Sequence, residues 1–246
     1  MRISYKPYLL PTLIFSFMLL SCQSNAGLET IITVEQVGAA ATPDKIVPIE
    51  GAPFEIPQLK RPVFPDFTIN IEEKGAKTNI PITSIVNQTI EEISQKGGGT
   101  VIIPKGKWKS GRIVLKSNVN LHLAEGSEIE FPGNAEDYLP AVFTRHEGIE
   151  IMGSGSFIYA NGEDNIAITG KGVIYGPSLD AEIRQRPNGN TVVEKDILDN
   201  APVEKRVFDG MDGRGFYKPK TISPINCTNV LIEGITMERS TFWNVC

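Results

Sequence analysis

The chemistry open to this chain is limited by the types and spacing of a few side chains. Its 246 residues hold two histidines and three cysteines among 29 acidic and 24 basic side chains. Neither His122 nor His146 has the partners that metal ligation or triad chemistry needs, so no metal and no cofactor is expected. Asp209-Gly210-Met211-Asp212-Gly213 separates two carboxylates by glycine, as calcium loops do. It falls short of a full ligand set and reads as a polar loop. Arg239 can grip a carboxylate through two N–H groups and Lys220 can meet one as a point charge, although a solvated face suits both. The formal charge is −5, and no basic stripe is interleaved with aromatics, which argues against a nucleic-acid partner.

The elements that must position these groups are written in a repeated phrase. Asn118-Val119-Asn120-Leu121-His122-Leu123, Asn165-Ile166-Ala167-Ile168-Thr169-Gly170 and Asn229-Val230-Leu231-Ile232-Glu233-Gly234 each set an Asn before alternating apolar residues. Asn tolerates left-handed backbone and turns the chain; alternation then places the apolar side chains on one strand face. The first two copies lie 47 residues apart, which predicts two coils of a β-solenoid at roughly 20 to 25 residues each. Ile82, Ile85, Val86, Ile90 and Ile93 share a helical face, and Gly97-Gly98-Gly99 ends it, so a helix over 82–96 is expected to cap the first coil. Further coils are expected over 149–159 and 165–175. The charged stretch 177–217 breaks the rhythm and reads as a long excursion, and strands resume at Thr221.

The N-terminus follows a secretory order, with Arg2 and Lys6, an apolar run from Tyr8 to Leu20, then Ser21-Cys22. The run is too short to span a bilayer. Leu19-Leu20-Ser21-Cys22 resembles a bacterial lipobox, which implies acylation of the Cys22 thiol and a mature chain that starts there. Residues 23–65 carry Pro43, Pro48, Pro53, Pro57, Pro62 and Pro65 and read as an extended tether. The expected organisation is therefore a signal over 1–22, a tether over 23–65 and a domain over 66–246. Export would place the protein beyond the inner membrane, lipid-anchored in the periplasm, at the outer membrane or at the cell surface. Cys227 and Cys246 are about one coil apart and are expected as stacked buried thiols rather than a disulfide.

The run Gly97 to Trp108, then Ser110-Gly111 and Leu115 to Leu123, strongly resembles the polygalacturonase family of glycoside hydrolases. Asn165 to Gly172 and Asn229 to Gly234 through Ser240-Thr241-Phe242-Trp243 match its later coils in the same order. The resemblance implies an all-β fold, a right-handed parallel β-helix. It also implies inverting hydrolysis of a pectic polysaccharide, galacturonan or rhamnogalacturonan. Inverting enzymes need a carboxylic acid on the leaving oxygen and a carboxylate on the attacking water. The family draws these from an Asn-x-Asp motif and an Asp-Asp pair, followed by Gly-His-Gly and Arg-x-Lys, and none of the four occurs here. The expectation is a scaffold truncated before its C-terminal coils, inactive as it stands, with no catalytic residue of its own. Trp243 and Asn244, just before the expected cleft, would touch sugar through ring and amide, and Arg239 would bind a galacturonate carboxylate; core packing at a turn is the competing role for Trp243. A non-catalytic, lipid-anchored β-helix that binds polysaccharide is the alternative.

Overall fold

The computed structural model describes residues 50–56 and 59–246, so the signal segment and Cys22 lie outside the described residues. No helix among the described residues is long and apolar enough to cross a membrane. Strand β1 (Thr68–Asn70) leads through a short 3-10 turn to helix α1 (Thr83–Gln95). The coils then begin. The first is β2 (Gly99–Ile103), β3 (Gly106–Lys109) and β4 (Ile113–Val114). The second runs β5 (Val119–Leu123), β6 (Ser127–Glu130), a hairpin of β7 (Val142–His146) and β8 (Ile149–Gly153), and β9 (Ser156–Asn161). The third is β10 (Asp164–Gly170), β11 (Val173–Tyr175), an insertion with α2 (Glu182–Gln185), α3 (Asn190–Leu198) and β12 (Val207–Phe208), and β13 (Lys220–Ile225). A fourth opens with β14 (Thr228–Ile232) and β15 (Thr236–Glu238).

Stacking the coils makes three parallel sheets, β1-β2-β5-β10-β14, β3-β6-β11-β15 and β4-β9-β13. Alternation within each strand turns every second apolar side chain inward, and the parallel register sets like on like. Val101, Leu121, Ile168 and Ile232 form one inner row, Trp108, Ile129, Ile174 and Met237 a second, and Ile113, Ile158 and Ile222 a third. Each fully buried aliphatic side chain in such a row contributes about 1.5–3 kcal/mol relative to exposure. Ile82, just before α1, and Val86, Ile90 and Ile93 within it are fully buried in the same core, so the helix plugs the end of the solenoid as its pattern predicts.

The Asn phrases fold as expected. Asn118, Asn165 and Asn229 take positive φ of 64°, 55° and 50°. Their amides form a ladder: Asn229 Nδ2 donates to Asn165 Oδ1 at 2.8 Å, and Asn165 Nδ2 donates to Asn118 Oδ1 at 3.1 Å. The same Asn165 nitrogen donates to the Val63 carbonyl at 2.9 Å, and Arg61 pairs with Glu233. The end of the Pro-rich segment therefore lies along the ladder.

The coil count needs correction. Strand β10 pairs directly with β5, with Ala167 beside Asn120, so the 47 residues between the Asn118 and Asn165 phrases are one coil and not two. The surplus is spent in the β7–β8 hairpin, whose antiparallel pairing also departs from a wholly parallel scheme over 149–159. Glu147 and Gly148 both take positive φ, 49° and 88°, which suits the tight turn that joins such strands. Where no insertion intervenes the coil is short, as Gly99 beside Val119 shows. The cysteines differ too. Both are free, Cys227 half-buried and Cys246 exposed, because Val245 bridges to Ile222 and Cys246 falls level with Ser223 rather than Cys227.

Candidate functional site

The insertion between β11 and β13 folds back on the solenoid and does not stand off it. Arg184 of α2 donates to the carbonyls of Ser178 at 3.0 Å, Pro177 at 3.1 Å and Ser240 at 3.2 Å, and also to that of Arg239. One guanidinium thus ties the insertion to the turn after β15, its planar fork meeting several acceptors at once. Arg186 pairs with Glu182 and lies over the Phe216 ring, 5.9 Å from its centroid. Asp209 Oδ1 and Asp212 Oδ1 accept from the backbone N–H of Met211 and Arg214 at 2.9 and 3.0 Å, so this loop spends its carboxylates on its own turns.

Between the insertion, the hairpin tip and the turn after β15 lies a cavity of about 280 Å³ lined by His146, Arg186, Asn188, Tyr217, Lys218 and Phe242. His146, Tyr217 and Phe242 of this lining belong to a column of rings. Phe208 meets Tyr217 at 5.2 Å, Tyr217 stacks on His146 at 4.0 Å, His146 on Phe242 at 5.1 Å and Phe242 on Trp243 at 4.8 Å. Tyr217 is fixed by its hydroxyl, which donates to Asn190 Oδ1 at 3.0 Å, and burial followed by Glu147 and Glu194 pushes its pKa up to about 12. His146 Nδ1 is buried without a partner. Burial, then the positive charge of Lys220, lowers the pKa of this imidazole. Flat ring faces suit the apolar face of a sugar, and the amides suit its hydroxyls; of the charged groups in the lining, Arg186 is paired with Glu182, leaving Lys218 and Glu147.

The expected site residues are dispersed. Trp243 is 46% exposed, so it is not core; it ends the ring column, with its indole on Phe242. Asn244 is exposed, its Oδ1 accepting from Ser240 Oγ. Arg239 turns away from both. At φ 55° it folds over the outer face of the β3-β6-β11-β15 sheet, where it pairs with Glu130 at 3.0 Å and covers the Tyr175 ring at 4.9 Å. It therefore borders a separate cavity of about 400 Å³ with Lys107 and Trp108. Lys220 is not on a solvated face: it is 3% exposed, with Nζ donating to the Arg145 carbonyl and lying 3.5 Å from Thr144 Oγ1. His122 keeps the structural role expected of it, with Nδ1 2.9 Å from Thr169 Oγ1. Tyr217, Arg186 and Asn188 were missed, since the excursion carries no periodic signal. The tandem Phe242-Trp243 was the available clue.

No family model matches the chain. A hyperthermoactive exopolygalacturonase from Thermotoga maritima superimposes with a TM-score of 0.67 at 31% identity, covering 76% of this chain and 47% of that one. The fold is that of the polygalacturonases. A family 28 exopolygalacturonase from Yersinia enterocolitica superimposes with a TM-score of 0.50 at 26% identity, over 72% of this chain and 36% of its own. In sequence, the exo-poly-α-D-galacturonosidase of Dickeya chrysanthemi is 27% identical over an alignment of 184 positions that covers 66% of this chain and 30% of that protein. The polygalacturonase-like chain thus spans less than half the length of these relatives.

Proposed function

We propose that the chain is the scaffold and one wall of the binding cleft of a polygalacturonase-like glycoside hydrolase that acts on pectic polysaccharide by inversion. The likeness to the Thermotoga exopolygalacturonase carries this reading. The ring column and Lys218 bind and orient an acidic sugar. The insertion closes one side of that pocket, which favours attack from a chain end, as in the relatives named exo-acting. Inversion requires two carboxylates about 6.5–9.5 Å apart. None of the family's four catalytic motifs occurs in residues 1–246, so the acid pair is assigned to the length by which the relatives exceed this chain. In the intact protein, polygalacturonate should release reducing sugar whose first-formed anomer is β by proton NMR. The absence of any release would leave the second reading, a β-helix that binds polysaccharide without cutting it, which the missing motifs favour.

We further propose that Cys22 anchors the protein by a lipid, through the basic, apolar and Leu-Leu-Ser-Cys order of residues 1–22. Cells fed labelled palmitate should label the wild-type protein and not Cys22→Ser. Equal labelling of both would remove the anchor and its address at the periplasmic, outer-membrane or cell surface.

A further inference from the structure

Lys220 is a buried cation whose Nζ meets the hairpin. It lies in the β4-β9-β13 sheet, 3% exposed, and among the described residues it has no side-chain carboxylate partner; its Nζ meets only the Arg145 carbonyl and, at 3.5 Å, Thr144 Oγ1. Burial pushes its pKa down against a smaller opposing pull from Cys246, so the position works against the charge it holds. A buried ion without a counter-ion is costly, and an apolar side chain of similar length would fill the same volume without that cost. Its place is informative. Lys218, two residues earlier, lines the cavity beneath the insertion; the Pro219 carbonyl accepts from the Thr241 hydroxyl of the turn after β15; and the Lys220 charge reaches His146 of the cavity. The facing charged groups are Arg186, already paired with Glu182, then Lys218 and Glu147.

We propose that Lys220 is a specificity-determining residue: a fixed positive charge, held on the Arg145 carbonyl next to His146 of the cavity, that makes the cavity select a uronate over a neutral sugar. This rests on the pectic reading above and deepens it. Lys220 is itself 3% exposed, so its field is screened less than that of the rim cations. Lys220 touches no sugar in this arrangement; it positions the carboxylate by its field, with Lys218 left to make contact.

The test uses the intact protein, with trigalacturonate and a neutral galactotriose titrated by calorimetry at low and high salt. Lys220→Met should weaken trigalacturonate about tenfold while leaving the neutral sugar within about twofold. Lys220→Arg should keep the acid preference. An equal loss for both sugars, or a lower melting temperature with the preference intact, would make Lys220 merely structural and overturn the proposal. If the Met variant does not fold, Lys220→Gln keeps a donor for the Arg145 carbonyl without the charge, and an unchanged preference there would overturn it equally. Wild-type protein that binds neither sugar sinks the pectic reading itself; one that binds both alike sinks only this inference.

Discussion

Phe157→Ala is expected to destabilise the solenoid by about 3–5 kcal/mol, seen as a lower urea midpoint at unchanged slope. Phe157 is fully buried in β9 and lies nearly parallel to Phe131, with centroids 4.8 Å apart and an interplanar angle of 11°. Tyr138 closes the other approach at 5.9 Å, its hydroxyl held by the Pro132 carbonyl at 2.7 Å. Alanine removes the ring from between two neighbours whose backbones belong to different segments and are fixed by their own hydrogen bonds. The site cannot collapse, and the lost transfer energy is joined by the cost of a cavity. Phe157→Leu keeps much of the volume and should cost about 1 kcal/mol. Equal costs for the two variants would mean that restored bulk recovers nothing, and would overturn the cavity account.

Gly170→Ala should cost about 4 kcal/mol, and the reason is backbone rather than core. Gly170 ends β10 at φ 106°, a conformation L side chains rarely adopt, and an added Cβ would stand 2.0 Å from the Leu123 carbonyl oxygen of the coil below. That carbonyl accepts from Lys171 and Gly172 N–H at 3.0 and 3.1 Å, so it cannot swing aside without breaking the turn. Gly162 is the control. It has φ 74° with nothing within 4 Å of a new Cβ, and Gly162→Ala should cost only about 1–2 kcal/mol. Similar melting losses for both variants would show that φ and not the contact between coils sets the penalty.

How much was legible in the sequence follows from how local each determinant is. The Asn turns were readable because Asn carries its own turn chemistry, and the left-handed backbone at Asn118, Asn165 and Asn229 follows from it. Helix α1 was readable to within a residue or two, since an apolar face and a Gly run mark it from within. The coil count was not. A hairpin hung from a coil adds residues without adding a coil, and only the pairing of β10 with β5 reveals that Asn118 and Asn165 are neighbours. The Glu147-Gly148 turn was a fair local signal, passed over because a period of two short coils accounts equally well for the length between the flanking phrases.

The chain by itself thus determined the sheets, the inward rows, the capping helix and, through the order of its phrases, the kinship with pectin-cutting β-helices. The tertiary structure decided which outward-facing residues are outward at all. Strand alternation assumes that one face meets water, and on that assumption Lys220 belonged to a solvated face. The hairpin covers that face of the β4-β9-β13 sheet, with Tyr159 bonded to the Phe143 carbonyl at 2.8 Å and Lys220 beneath Thr144 and Arg145. Likewise Arg239 and Trp243 lie close in sequence, yet the positive φ at Arg239 sends one over a sheet and the other into the ring column. Burial from outside an element and the direction of a turn depend on segments distant in sequence, and no period within the strand records them.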